Sequence, residues 1–323
     1  MHSTAQWPLR GVAVTRMAEA LRAAGHEVQV MPLGTGSAFR YLAARRRVSA
    51  AVKEFRPAVV HVHFGYSGLA APRLTVPLVT TFYGDDLNGT WHASGGITLR
   101  SRIGVAASHW VAWRSVRCVT VSETLRRRLL TAGLRRKTSV IRDAVDFRLF
   151  RPLPQGEARS RLGLAMNDII VLFPHDATQA TKRIWLAEAA VRELQQRLPR
   201  CTLRVVNGRP ADEMPWQYAA ADVMLVTSAL EGGPSSVKEA LACGVPVVSV
   251  SVGDLEMFDD APDGMLRSQS DPATLADVLE RALTGPRTER RPLLPERFDL
   301  AKASMALVAV YEEALRVYRG AHA

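Results

Sequence analysis

The sequence has little cysteine, no long apolar run and, in its first half, few acidic residues. Each shortage excludes something. Cys118, Cys201 and Cys243 are odd in number, far apart and set in apolar stretches such as Arg117-Cys118-Val119. They offer neither a disulfide framework nor metal-ligand spacing, and they read as reduced core thiols. No uninterrupted apolar run approaches the roughly 20 residues of a membrane-spanning helix, and Met1 to Arg10 lacks the basic-then-apolar order of a signal peptide. A soluble, cytoplasmic protein is expected. There is no short internal repeat, no low-complexity segment, no recognised nucleic-acid motif and no basic stripe interleaved with aromatics, so nucleic acid is not an expected partner.

The acidic shortage is confined to one half. Residues 1–150 hold 22 Lys and Arg against 8 Asp and Glu, a net +14, whereas residues 151–323 hold 20 against 23, a net −3. The basic residues gather in Arg45-Arg46-Arg47, Arg126-Arg127-Arg128 and Arg135-Arg136-Lys137. Such clusters suit an anionic membrane surface at the inner face or an acidic acceptor; solvated helix faces are the plain alternative. A chain of 323 residues that is 47% hydrophobic and 23% charged has ordinary globular composition and is long enough for two cores.

Short β-branched runs alternate with amphipathic stretches, the pattern of parallel sheets covered by helices. In the first half strands are expected at Val28 to Met31, Val59 to His63, Leu78 to Phe82, Cys118 to Ser122 and Ser139 to Ile141. Helices are expected near Val14 to Ala24, Phe39 to Phe55, Ser101 to Trp113 and Glu123 to Ala132. The second half repeats the pattern, with strands at Ile169 to Phe173, Leu203 to Val206, Val223 to Thr227 and Val247 to Val250. Its helices are expected near Thr181 to Leu198, Ser235 to Ala242 and Pro272 to Leu283. A Pro- and Gly-containing seam, Arg151 to Gly156, lies between. The fold class is therefore α/β, with two doubly wound Rossmann-like domains: residues 1–152, then 153–300, with a last helix, 301–323, crossing back to the first.

The segment from Ser228 to Val248 carries the chemistry. It leads from an apolar strand through Glu231, Gly232 and Gly233 into a helix opened by Pro234, Ser235 and Ser236, with Glu239 on that helix. The glycines allow close backbone approach, and free amides at a helix N-terminus favour a diphosphate. Two carboxylates eight positions apart reach different ends of one bound molecule, and sugar and ribose hydroxyls are suitable partners.

This block resembles the family 4 retaining glycosyltransferases, whose E-x7-E element Glu231 and Glu239 match, with Gly244-Val245-Pro246 leading into the next strand. Further similarity runs through Gly25 to Val28, Val59 to His63, Thr120 to Glu123, Ile141 to Phe150, Met214 to Leu225 and Val252 to Asp254. The resemblance implies a GT-B fold, a nucleotide-sugar donor (UDP- or GDP-sugar), no cofactor and no metal. The expected acceptor is a glycan, a lipid-linked molecule or a small molecule. It implies that Glu231 contacts the transferred sugar, Glu239 the ribose, and Lys182 the donor diphosphate.

Three departures stand out. The Arg that the family places about five residues before Lys182 is Ala177, so Arg183 or His175 is expected to assist. The family's His-Gly-x-Asp turn appears as Tyr83-Gly84-Asp85-Asp86, leaving Tyr83 a hydroxyl in place of an imidazole. The family's opening strand and Gly-rich loop are expected to be missing, because only about ten residues precede Gly11. Asp85 and Asp86 read as turn residues, not metal ligands. His61 and His63 are read as facing opposite sides of their strand. A GT-B sugar nucleotide epimerase or phosphorylase, or a basic-surface binding protein without catalysis, are the alternatives.

Overall fold

A β-branched run forms a strand only where a neighbour pairs with its amides and carbonyls, and this decides which expected strands exist. The computed structural model describes residues 11–33, 39–71, 74–89, 97–229, 234–252, 264–284 and 290–321. The chain divides into two units, one running from Gly11 to Asp143 and taking up the chain again from Leu300, the other comprising Ala144–Asp299.

The first unit contains α1 (Val12–Ala23), α2 (Phe39–Ala43), α3 (Arg45–Phe55), β1 (Val60–His63), β2 (Leu78–Phe82), α4 (Asp85–Asn88), α5 (Leu99–Arg114), β3 (Arg117–Thr120), α6 (Glu123–Arg127), α7 (Ala132–Arg136) and β4 (Thr138–Val140). Its sheet is parallel in the order β1-β2-β3-β4. Val28 to Met31 is not a strand: β1 pairs only with β2 among the described residues, and the Val28 carbonyl accepts instead from the Arg22 guanidinium at 2.7 Å. The helix expected over Phe39 to Phe55 is interrupted at Ala44, and Tyr41 and Ala44 are buried against Ala70. The helix expected from Glu123 to Ala132 stops at Arg127, and a second begins after Thr131, whose hydroxyl accepts from the Leu134 amide. The expected opening segment, Met1 to Arg10, lies outside the described residues.

The second unit contains α8 (Gln155–Arg161), β5 (Ile169–Phe173), α9 (Ile184–Gln195), β6 (Cys201–Val205), α10 (Met214–Ala220), β7 (Val223–Val226), α11 (Ser235–Ala242), β8 (Val247–Val250), β9 (Met265–Ser268) and α12 (Pro272–Thr284). Its parallel sheet has the order β6-β5-β7-β8-β9. β5, β7 and β8 are buried almost throughout, as continuous apolar runs covered on both faces require. One core layer sets Met224, Val226 and Val247 against α11, and the other sets Val171, Leu225 and Val248 against α9 and α12.

The change of unit falls at Asp143 and Ala144, ahead of the Pro- and Gly-containing seam. Val145 and Phe150 are buried in the core of the second unit, and Gln155 already opens α8. α13 (Leu300–Gly320) belongs to the first unit, where Leu307, Val310 and Ala314 pack with Val79 and Val119. The three cysteines are free and buried, and burial pushes the Cys118 thiol up to about 11.

Candidate functional site

In the second unit β6 and β7 lie on opposite sides of β5, so the strand order reverses between β5 and β7. At such a switch point the loops leaving the strand ends splay apart and open a crevice for a ligand. The loop after β5 carries Lys182; the segment after β7 carries the Glu motif. Both expected donor-binding elements therefore flank the switch point.

Hydrogen bonds fix the two loops to each other. The Thr227 hydroxyl donates to the carbonyls of Lys182 and Arg183 at 2.8 and 3.1 Å. The Ala229 amide donates to the Thr181 carbonyl at 2.8 Å. Arg183 has a left-handed backbone with φ 49°, and its guanidinium donates to the carbonyls of Thr227 and Ser228 and to the Ser270 hydroxyl. Its visible role is to fasten the Lys182 loop, and burial lowers its pKa. His175 is buried with its ring edge-on to Phe173, centroids 5.2 Å apart. Ala177, where the family has Arg, sits in a turn that the Asp176 carboxylate caps through the Thr178 amide and hydroxyl.

Pro234 precedes α11, followed by Ser235, which is exposed, and Ser236, half-buried. Their amides begin the helix and lack acceptors within it. Glu239 is half-buried on α11, and its carboxylate accepts from the Tyr218 hydroxyl of α10 at 2.9 Å. Glu231, Gly232 and Gly233 lie outside the described residues. The sequence reading passed over Tyr218, which orients Glu239. It also passed over Lys238, fully buried with its ammonium 6.0 Å from the centre of the Phe298 ring. Only packing reveals them, because neither helix marks by its sequence which of its polar residues is buried.

In the first unit Tyr83 directly follows β2, and its hydroxyl is 2.7 Å from Nδ1 of His63, at the end of β1. His61 and His63 share one face of β1, with ring centroids 4.1 Å apart. This corrects the expectation of opposite sides, because side chains two apart on a strand point the same way. The His61 ring is bonded to Tyr311 of α13 at 2.7 Å and to Thr81 at 2.8 Å. An imidazole thus lies beside position 83 although the residue there is Tyr. Asp86 is buried, and its carboxylate accepts from the amides of Gly65, Tyr83 and Gly84 at 2.8 to 3.2 Å. Burial raises its pKa to about 6 despite those bonds. Its work is to hold the turn that presents Tyr83.

Burial lowers the pKa of both histidines, that of His63 to about 4. Between that value and the ordinary 6.5 the unfolded chain binds a proton that the folded chain refuses, so the His63 contribution to stability falls as pH falls through this window. Asp86 titrates with the opposite sign, which makes a comparison with His63→Gln informative. From pH 7.5 to 4.5 the variant should gain about 2 to 3 kcal/mol relative to the parent in urea unfolding. A stability difference that does not change with pH would mean that His63 keeps an ordinary affinity for protons in the fold.

Together, two parallel α/β units, one with the loops expected to bind the donor at its switch point, have the architecture of the GT-B class. Sucrose-phosphate synthase from Thermosynechococcus elongatus has the same fold, with TM-score 0.70 and 19% identity over 97% of this chain and 93% of that one. Anabaena HepE in complex with UDP and glucose matches with TM-score 0.68 and 17% identity, over 91% and 88%.

The chain belongs to glycosyltransferase family 4. The Glycosyltransferase Family 4 profile matches residues 11–149, and that of Glycosyl transferases group 1 matches residues 177–285. The D-inositol 3-phosphate glycosyltransferase of Xylanimonas cellulosilytica is 30% identical over 312 residues, 80% of this chain and 72% of that protein. The protein of the same name from Frankia alni is 30% identical over 190 residues, and that match spans 48% of this chain and 46% of the relative. Among the described residues no helix is long and apolar enough to cross a membrane.

Proposed function

We propose that this chain transfers a hexosyl group from UDP- or GDP-sugar to an acceptor with retention at the anomeric carbon and without a metal ion. The observation that carries the proposal is the pairing of the Lys182 loop with the Glu-motif segment on either side of the β5/β7 switch point. Glu239, held by Tyr218, binds the ribose hydroxyls, and Glu231 contacts the sugar. Lys182 and the α11 amides at Ser235 and Ser236 receive the diphosphate. As the anomeric C–O bond to phosphate breaks, charge grows on the diphosphate, and a fixed ammonium and helix terminus stabilise it as a cation would. The leaving oxygen takes the acceptor's proton on the face it vacates, so the new bond forms on that face. In the first unit Tyr83, its hydroxyl held by His63, is the residue assigned to assist transfer.

The acceptor is a glycan, a lipid-linked molecule or a small molecule. A relative named for D-inositol 3-phosphate and a first half with net charge +14 favour an anionic one. Thermal unfolding with UDP, GDP and ADP, each with and without EDTA, tests the donor site. One of them at about 100 times its dissociation constant should add about 2.7 kcal/mol of stability, unchanged by EDTA. Product analysis by NMR with inositol phosphates and glycans should show an unchanged anomeric configuration. No nucleotide binding, loss of transfer with EDTA, or an inverted product would each overturn part of the proposal. Turnover without any acceptor would favour the epimerase alternative.

A further inference from the structure

Helix α5 lies at the surface, yet it is apolar on two sides. On the inner side Ser108, Val111 and Ala112 are buried. Gly68 approaches Val111 so closely there that a Cβ on the glycine would overlap it. On the outer side Leu99, Ile103, Ala106, Trp110 and Trp113 are exposed. The four large ones keep 74%, 63%, 43% and 73% of their surface in water. Their spacing of four, three, four and three residues sets all five on a single stripe along the helix. A helix apolar on both sides is usually covered on both, and an exposed apolar patch of this size marks a binding surface.

Charge indicates what covers it. From Thr98 to Lys137 the chain has ten Lys and Arg and one acidic residue, Glu123, which Arg126 and Arg127 already pair. Arg100 and Arg102 are exposed on α5 itself. The Arg114 guanidinium lies over the Trp110 ring at 4.7 Å. The His109 ring reaches the Arg128 carbonyl at 3.4 Å, so the exposed Arg127 and Arg128 border the same helix. Two copies joined through this face would bring like charges together. Indoles ringed by guanidinium groups match the headgroup level of a bilayer, where amphipathic rings rest while cations meet lipid phosphates.

We propose that the outer face of α5 docks on an anionic bilayer, with Trp110 and Trp113 at the headgroup level and Arg100, Arg102, Arg127 and Arg128 against lipid phosphates. The sequence pointed only to basic clusters; the structure adds the apolar stripe that gives them a direction. Docking needs no sugar transfer, so it stands or falls separately from the donor site.

The test uses the whole chain with phosphatidylcholine vesicles, with and without about 30% phosphatidylglycerol. The protein should float with the anionic vesicles, show tryptophan quenching by brominated lipid, and detach as salt rises. Trp110→Ser with Trp113→Ser should lower the partition coefficient at least about tenfold, with the unfolding midpoint and nucleotide binding unchanged. Trp185→Ser, at an exposed site in the second unit, should leave partition unchanged. Equal partition of parent and double variant, equal binding to neutral vesicles, or no vesicle binding by the parent would overturn the proposal. A parent that dimerises while the double variant does not, with no vesicle binding, would assign the stripe to a second copy.

Discussion

Glu239→Ala is expected to raise the dissociation constant of the nucleoside diphosphate about 10- to 100-fold, which is what losing charge-assisted hydrogen bonds of about 1.5 to 3 kcal/mol produces. The carboxylate is on α11 one turn beyond Ser235 and Ser236, and the Tyr218 hydroxyl fixes it at 2.9 Å. Tyr218→Phe keeps the carboxylate but frees its orientation, so a smaller loss, about two- to tenfold, is expected. Glu231→Gln should leave nucleotide binding intact and lower kcat, because its expected partner is the transferred sugar. Calorimetric titration separates these effects from steady-state rates. Variants that bind nucleotide and transfer sugar like the parent would remove the donor-site assignment.

Asp222→Ala should destabilise the protein by about 3 to 5 kcal/mol. Asp222 and Arg159 form a buried pair at 2.7 Å, with 6% and 4% of their side chains exposed. The Asp222 carboxylate also accepts from the Ile170 amide at 2.7 Å and from Gln155 at 3.1 Å. Arg159 donates in addition to the carbonyls of Ala220 and Met166. Removing the carboxylate leaves a guanidinium in a low-dielectric site without its counter-charge. Pairing Asp222→Ala with Arg159→Met should recover part of the loss, since it removes the stranded charge. Urea unfolding measures both, and a loss below about 1 kcal/mol for the single variant would mean that water reaches the pair.

Much of the fold was legible because its signals are local. Leu78 to Phe82, Ile169 to Phe173 and Val247 to Val250 are runs of mostly β-branched and apolar residues too short for helices, and each forms the expected strand with the expected bounds. Ser235 to Ala242 likewise begins and ends as expected, set by Pro234 before it and Gly244 after it. Val28 to Met31 failed because a strand depends on a partner, which composition does not reveal. β9 was missed because Met265 to Ser268 alternates weakly and is mostly half-exposed.

The candidate site was legible to the extent that spacing carries it. The Glu motif and Lys182 are recognisable along the chain, but their convergence at the β5/β7 switch point depends on strand order. The fastening role of Arg183 rests on a left-handed backbone that a lysine-arginine pair does not announce. The bond from His63 to Tyr83 joins residues 20 apart at the ends of neighbouring strands, so it depends on their pairing and register.

The arrangement of the two units along the chain bears on how the protein is made. Among the described residues the second unit is one continuous stretch, whereas the first also needs α13, which follows that stretch in the chain. The ends of the second unit meet: Val145 is bridged to Asp299, and its amide donates to the Phe298 carbonyl at 2.9 Å. Until Leu307, Val310 and Ala314 arrive, Val79 and Val119 lack the cover that α13 gives them. Bringing α13 back through an unfolded stretch from 144 to 299 would carry the closure entropy of a long loop. Once that stretch has folded, its adjoining ends act as a short link. Synthesis order and topology thus agree: the second unit can fold from a continuous segment, and its folding delivers the helix that completes the first.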